Sequence, residues 1–380
     1  MKIGNIEIVM FPAGSGDCIL LHFIKEHFRI LIDGGYVYTF NNYLKTYLER
    51  LGKMGESIDL LIVTHIDRDH INGIKKFLKV NGDAKHPNII FVKEIWFNGF
   101  RNISGIKCDA CEEIPFVEKC VLENMAAQSI DQDENGLKDI SFGDAESLVE
   151  LIVNNGYDWN TSFNKMVSRN DTLEVVYGDI NISILNPSEK ELNNLTQEWI
   201  DELKKSSRDV IISNNHLFDR AFEGCWIYDE NIENNYCNIS FSEEEIFSWR
   251  EKAELDDDIP DDTIQNLSSI VVLIKNEKKT LLFPGDCPMY QIKKYLPDKI
   301  DIVKLPHHGS GKSIDKEFIR TKKVDYYLLS TDGKRYGHPS EKVIGNIVCN
   351  SLGNPLIIKN YEIPLLANIG KMEDEVIVDE

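Results

Sequence analysis

The sequence predicts an α/β fold. Short apolar runs of strand character alternate with helix-spaced segments over residues 1–97 and again over 268–348. The stretch between them is polar and irregular. Five of the nine histidines fall at the ends of predicted strands or in the loops that follow, which a random scatter would not produce.

Taken in order, Ile3–Met10, Ile19–Phe23 and Arg29–Ile32 are strand-like runs split by Gly14, Gly16, Gly34 and Gly35. Leu44, Tyr47, Leu48 and Leu51 recur at helical spacing within Asn41–Leu51. Leu60–Val63 is wholly apolar, a buried strand, and Ile71–Leu78 predicts a helix with Ile74, Phe77 and Leu78 inward. Asn88–Trp96 reads as a strand. Regularity then fades from about Asn98 to Tyr177, apart from helical spacing in Asp144–Asn154. A strand at Asn181–Leu185 and a helix through Leu192, Leu195, Trp199 and Leu203 follow. Ser206–Asp262 is polar and ends in acidic clusters at Asp256–Asp258 and Asp261–Asp262, the signature of a solvated surface insertion or a lid. Strands return at Ser268–Ile274, Thr280–Phe283, Ile302–Leu305 and Tyr326–Ser330, with helices around Met289–Tyr295, Ile314–Ile319 and Ser340–Val348. The expected organisation is one domain over 1–380 with insertions at 98–180 and 206–262.

A chain of 380 residues that is 42% hydrophobic can bury a sizeable core. Its formal charge of −21 repels phosphate backbones at long range. A nucleic-acid substrate would therefore need a local basic patch or a partner subunit; a small substrate would not. No apolar run approaches bilayer-spanning length, and Lys2 alone before the first strand makes no signal peptide. The expectation is a cytoplasmic protein without membrane contact. Eight scattered cysteines suit a reducing compartment rather than a disulfide scaffold.

The densest chemical signal is THIDRDHINGI at Thr64–Ile74. It sets His65, Asp67, Asp69 and His70 in a loop between a buried strand and a helix. Alternate positions of an extended loop share a side, so His65, Asp67 and Asp69 can converge on one point, with His70 and Asp69 reaching a second. Two imidazoles and two carboxylates within six residues form a metal-ligand set. Read alone, the segment is equally a charged surface turn neutralised by Arg68. The later strands decide otherwise. Leu281–Pro284 runs into Asp286, Ile302–Pro306 into His307 and His308, and Tyr326–Ser330 leads to His338. Neutral imidazole binds metals, and carboxylates at strand ends supply the charge that holds a dication. Without one, Asp67, Asp69 and Asp286 brought together would repel by at least about 1 kcal/mol per pair.

These segments give the chain a specific resemblance. FPAGSGDCILLHF at Phe11–Phe23, RILIDGG at Arg29–Gly35, THIDRDHINGI, NLSSIVVLI at Asn266–Ile274, FPGD at Phe283–Asp286, LPHHGS at Leu305–Ser310 and GHPS at Gly337–Ser340 stand in family order. The chain resembles the metallo-β-lactamase superfamily, and within it the hydrolase domain of the ComEC-type competence proteins. The resemblance implies a four-layer αββα sandwich with two insertions and two metal ions at one edge. It also implies a hydrolase attacking through a metal-bridging hydroxide, since two dications draw a water's pKa from about 15.7 towards roughly 7. The expected donors are His65, Asp67 and Asn266 at one site, Asp69, His70 and one of His307 and His308 at the other, with Asp286 bridging. Asp67 and Asn266 stand where the commoner pattern has histidines. That exchange of nitrogen for oxygen weakens the case for a tight Zn²⁺ at the first site and favours Mn²⁺ or Mg²⁺ there; for the two sites together the expected ions are Mn²⁺ or Zn²⁺, with Mg²⁺ a further candidate.

Asp69 and His338 are the catalytic candidates, His338 as a transition-state stabiliser or proton donor. Ser310 and Lys312 either contact phosphate or cap the helix at Ile314; the sequence leaves both open. Asp17 and Asp33, beside glycines, read as turn residues or supports of the ligands. GSGKS at Gly309–Ser313 lacks the first glycine of a phosphate loop, where Pro306 stands. Cys108, Cys111 and Cys120 offer a C-x-x-C and a third thiol that a structural zinc could use with Cys225 or Cys237 as fourth ligand, but with that ligand unidentified, buried or free thiols are the favoured reading. The expected reaction is phosphodiester hydrolysis, with nucleic acid as substrate and Lys304, Lys312, Lys334 and Arg335 taking its charge. The alternatives are a small nucleotide or ester, or a hydrolase subunit docked to a partner protein through its insertions.

Overall fold

The computed structural model describes residues 1–105, 114–127, 146–206, 212–213, 215–225, 249–255, 258–277 and 279–366, and the backbone of 378–379. It divides into two compact units: Met1–Phe11, Asp17–Leu173 and Pro187–Ile227 form the first, and Pro12–Gly16, Glu174–Asn186 and Tyr228–Glu380 the second.

The first unit holds strands β1 (Lys2–Ile3), β2 (Ile6–Met10), β3 (Ile19–Phe23), β4 (Phe28–Ile32), β5 (Ser57–Ile58), β6 (Leu60–Ile62), β7 (Phe91–Val92) and β8 (Ile95–Trp96). Its main sheet runs β1-β2-β3-β4-β6-β8, and β5 pairs β7 separately. β1 to β4 are antiparallel, and β4, β6 and β8 are parallel. β4 and β6 are buried at every residue, which is why their sequences are unbroken apolar runs rather than alternating ones. The strand expected over Ile3–Met10 is cut by a turn at Gly4, where φ is +59°. The one expected over Asn88–Trp96 is two short strands in different sheets.

Residues beyond Asn98 add helices to this unit. Phe116–Ala127 packs on His216–Gly224. Phe100, Trp199, Phe218 and Phe222 form an aromatic cluster with ring centroids 4.4–6.5 Å apart. In the same unit, buried carboxylates pair with half-buried cations: Arg101 donates to Asp219 at 2.6 Å, Arg220 grips Glu150 at 2.7 and 2.8 Å, and Lys75 pairs with Glu223 at 3.3 Å. Glu223 also accepts the amides of Leu148 and Val149, satisfying the open N-terminus of the helix Leu148–Asn154. Burial, only partly offset by Arg101, pushes the Asp219 carboxyl up to about 7.

The second unit holds β9 (Glu174–Tyr177), β10 (Ile180–Asn186), β11 (Val271–Asn276), β12 (Lys279–Phe283), β13 (Lys299–Lys304), β14 (Lys323–Leu329), β15 (Leu356–Lys359) and β16 (Val378–Asp379) in one sheet ordered by number. β9 to β12 are antiparallel and β12 to β16 parallel. Val303, Phe318, Tyr327 and Ile344 lie in its core, with the helix Trp249–Glu254 packed on the helix Glu341–Asn350. Each unit thus passes from an antiparallel meander to parallel strands. The C-terminal ends of parallel strands are where α/β sheets expose loops for chemistry. Among the described residues no helix is long and apolar enough to cross a membrane.

Candidate metal centre

In the first unit the donors follow β4 and β6. The chain leaves β4 at Asp33 with φ +56°, a conformation costing a non-glycine residue about 1–2 kcal/mol. Its fully buried carboxylate accepts from the Thr64 amide, the Thr64 hydroxyl and His70 Nδ1, each at 2.8 Å. A carboxylate only accepts here, so His70 Nδ1 carries the proton and Nε2 keeps its lone pair. The Thr64 hydroxyl, spent as a donor to Asp33, accepts from His65 Nδ1 at 2.9 Å. His65 is thereby fixed in the same tautomer. This is how proteins orient imidazole ligands: one ring nitrogen is anchored so that the other faces the ion.

Two glycines bring these groups into register. A Cβ on Gly73 would lie 1.8 Å from the Gly34 carbonyl oxygen, and one on Gly34 2.6 Å from the Ile74 nitrogen. The contact is closed by bonds from Gly34 N to His70 O (2.9 Å) and from Gly73 N to Gly35 O (2.8 Å). The extended alternation expected through Asp69 stops earlier, because the helix Arg68–Asn81 begins with Asp67 as its N-cap. Asp69 and His70 therefore sit in its first turn. His65 Nε2 is 3.5 Å from Asp67 Oδ2, His70 Nε2 is 4.0 Å from Asp69 Oδ1, and the two imidazole centroids are 4.2 Å apart. Two donors on one ion, each about 2.1 Å from it, stand roughly 3.4 Å apart, so this spacing fits donors that share a cation. Asp17, buried, brings a further carboxylate to within 4.8 Å of the Asp33 and His70 donor atoms. Burial, then Asp33 and Asp17, hold the neighbouring Cys18 thiol well above its ordinary value, so it stays protonated.

In the second unit the donors follow β12, β13 and β14. His307 and His308 both adopt left-handed backbone, with φ of +46° and +56°. His308 Nδ1 donates to the Ser330 carbonyl at 3.0 Å, which turns its Nε2 to Asp286 Oδ2 at 3.5 Å. His307 Nε2 lies 3.9 Å from the same oxygen. Lys304 corrects the expectation of a surface cation. It is 1% exposed, its Nζ 3.5 Å from Asp286 Oδ1 and 3.2 Å from the Gly285 carbonyl. It balances the charge of Asp286 and does not face a substrate.

Asp261 is not legible in the sequence as a site residue, because it lies in an acidic run that reads as solvated surface. It is buried, with Oδ2 3.1 Å from His307 Nδ1 and accepting from Asn266 Nδ2 at 2.6 Å. Burial opposes its ionisation, but the hydrogen bonds from His307 and Asn266 hold the carboxyl down at about 2. For His307, burial likewise opposes the charged form, and Asp286 and Asp261 outweigh it to raise the pKa. His338 stands 5.2 Å from the His307 ring, centroid to centroid. Burial, then His307 and His308, lower its pKa well below the ordinary value. It is a neutral ring that can offer one hydrogen bond, not a cation. Ser310 is buried and its hydroxyl accepts the Lys312 amide at 3.3 Å within its own turn. Lys312, Lys334 and Arg335 are exposed. Cys120 and Cys225 are free, half-buried thiols; Cys108, Cys111 and Cys237 lie outside the described residues.

The candidate donors in each unit are imidazole nitrogens and carboxylate oxygens, a set suited to divalent first-row metals. Residues 12–104, which carry β3 to β8 and the Thr64–Ile74 loop, match the metallo-beta-lactamase superfamily. The mixed α/β architecture agrees with that fold. Among solved structures, a point mutant of the CmlA beta-hydroxylase is similar at 12% identity and a TM-score of 0.34, covering 92% of this chain and 49% of that one. CmlA itself, a diiron beta-hydroxylase from Streptomyces venezuelae, is similar at 13% identity and a TM-score of 0.33, covering 90% and 49%. The chain spans about half the length of these structures. No curated protein matches it.

Proposed function

We propose that the chain is a metal-dependent phosphodiesterase, with nucleic acid as the leading substrate. The observation that carries this reading is the repeated anchoring of histidine Nδ1. Thr64, Asp33 and the Ser330 carbonyl each hold one ring, and each Nε2 then lies 3.5–4.0 Å from an aspartate oxygen. In this proposal the donors for two divalent ions are drawn from His65, Asp67, Asp69, His70, Asn266, Asp286, His307 and His308. The mixed nitrogen and oxygen donors favour Mn²⁺ or Zn²⁺, with Mg²⁺ the weaker fit. When bound, such ions make a water acidic enough to attack at neutral pH and draw charge off a phosphoryl oxygen. Asp69 orients the attacking water, and His338, neutral and half-buried, donates a hydrogen bond to the departing oxygen. The likeness of the Thr64–Ile74, Phe283–Asp286 and Leu305–Ser310 segments to competence-type hydrolases supports a nuclease. The free thiols support a cytoplasmic site of action.

A formal charge of −21 and the burial of Lys304 favour a second reading, a small phosphodiester or ester as substrate. One experiment separates the two. Calorimetry with Mn²⁺, Zn²⁺ and Mg²⁺ should give two ions per chain. The loaded protein is then offered supercoiled plasmid, single-stranded DNA, RNA and a chromogenic phosphodiester. Nucleic-acid cleavage that weakens and loses salt dependence in a Lys312→Ala, Lys334→Ala, Arg335→Ala triple variant, with the small diester still cleaved, establishes the nuclease. Cleavage of the small diester alone establishes the second reading. Binding of no metal would sink both.

A further inference from the structure

Asp261 is held from every side. Its backbone amide donates to the Lys312 carbonyl at 3.0 Å, and Tyr290 Oη donates to its carbonyl at 3.1 Å. Nearby, Asp258 pairs with Lys342 at 2.8 Å, tying the same segment down. The carboxylate is equally occupied. Oδ1 accepts from the Thr263 amide at 3.0 Å and hydroxyl at 2.8 Å, while Oδ2 accepts from Asn266 Nδ2 at 2.6 Å and lies 3.1 Å from His307 Nδ1. Each oxygen faces two donors, which uses its lone pairs and leaves none for an ion. Asp261 is therefore not itself a ligand.

What it does is hold two groups counted among the proposed donors. A carboxylate demands donors, so the Asn266 amide presents its nitrogen to Asp261. Its Oδ1, buried and accepting no hydrogen bond in the structure, is left as the donor oxygen. With Nδ1 donating to Asp261, the neutral His307 ring carries its lone pair on Nε2, which lies 3.9 Å from Asp286 Oδ2. We infer that Asp261 is a shared positioning residue for two metal donors, His307 Nε2 and Asn266 Oδ1, so that the end of the acidic segment is a working wall of the metal centre. The inference rests on the metal-centre reading above and adds a residue to it from outside the segments that carry the resemblance.

The test titrates full-length protein with Mn²⁺ alone and records the visible spectrum of the Co²⁺-loaded form. Four proteins are compared: wild type, Asp261→Ala, Asp261→Asn and Asp262→Ala, the last removing an equal charge at the exposed neighbour. Asp261→Ala should weaken Mn²⁺ binding by about 10–100-fold wherever His307 and Asn266 serve as donors, and shift the Co²⁺ bands. Asp261→Asn keeps one accepting oxygen and should recover part of that loss. Asp262→Ala should stay within about twofold of wild type. If Asp261→Ala does not fold, Asp261→Asn carries the comparison with Asp262→Ala. Wild-type binding of two ions with both Asp261 variants unchanged, or with Asp262→Ala equally weakened, overturns the inference and leaves the metal centre standing. A wild type that binds no Mn²⁺ or Co²⁺ overturns both.

Discussion

Asp33→Ala removes the group on which the loop carrying the proposed ligands His65 and His70 depends. The buried carboxylate accepts three hydrogen bonds at 2.8 Å, from Thr64 N, Thr64 Oγ1 and His70 Nδ1. Each donor left buried without an acceptor costs about 1–3 kcal/mol. Three neighbouring losses are not additive, and a water entering the vacated space would satisfy part of them, so the expected net cost is about 4–6 kcal/mol. Alanine is also less at ease than aspartate at a φ of +56°. Asp33→Asn keeps the volume and one accepting oxygen, and should cost about 1–3 kcal/mol. Urea unfolding followed by far-UV circular dichroism measures both. Mn²⁺ titration of the folded Asn variant should show about 10–100-fold weaker binding at the site His70 serves, because the ring loses its anchor. Equal stability losses in the two variants, or a loss below about 1 kcal/mol for Asp33→Ala, would refute the argument. Either would mean that helix packing, not the carboxylate, holds His70.

Asp219, with its carboxyl raised to about 7 by burial, is protonated in the folded state where the unfolded chain is ionised. Its contribution to stability is fully present below about pH 4 and is lost as pH rises towards 7. Asp219→Asn removes that dependence, so its stability relative to wild type should improve by about 2–3 kcal/mol between pH 5 and pH 8 and level off above. A difference that stays flat with pH would contradict the assigned protonation. Lys304→Met leaves the Asp286 carboxylate buried without its cation, which should destabilise the metal-free protein by about 3–5 kcal/mol. Mn²⁺ should then raise the melting temperature of the variant more than that of wild type, and an equal rise would disprove the pairing of roles.

Much of the fold is legible because burial leaves a mark on composition. β3, β4, β6 and β10 to β14 are covered, their sequences are apolar over the right lengths, and the expected strands overlap the observed ones. β9 leaves no such mark, because it is a four-residue edge strand with half its side chains exposed. The helix Phe116–Ala127 is hidden for the opposite reason, since its apolar residues surround it instead of marking one face. Around the site, the density of histidine and aspartate at strand ends singles out the candidate donors.

Covalent order and residue chemistry are written directly in the chain, so the order of the strands, the candidate donor types and the loops that carry them are readable before any fold is known. Tertiary structure decided which partner each donor takes. Asp33, beside glycines, reads equally as a turn residue or a support of the ligands, and Asp261 in an acidic run announces no role, yet one anchors His70 and the other His307. Lys304 reads as a surface cation until β13 turns it inward onto Asp286. Burial turns a charge from a solvated group into one that must find a partner, and only the folded chain fixes which groups are buried and what lies within hydrogen-bonding reach of them.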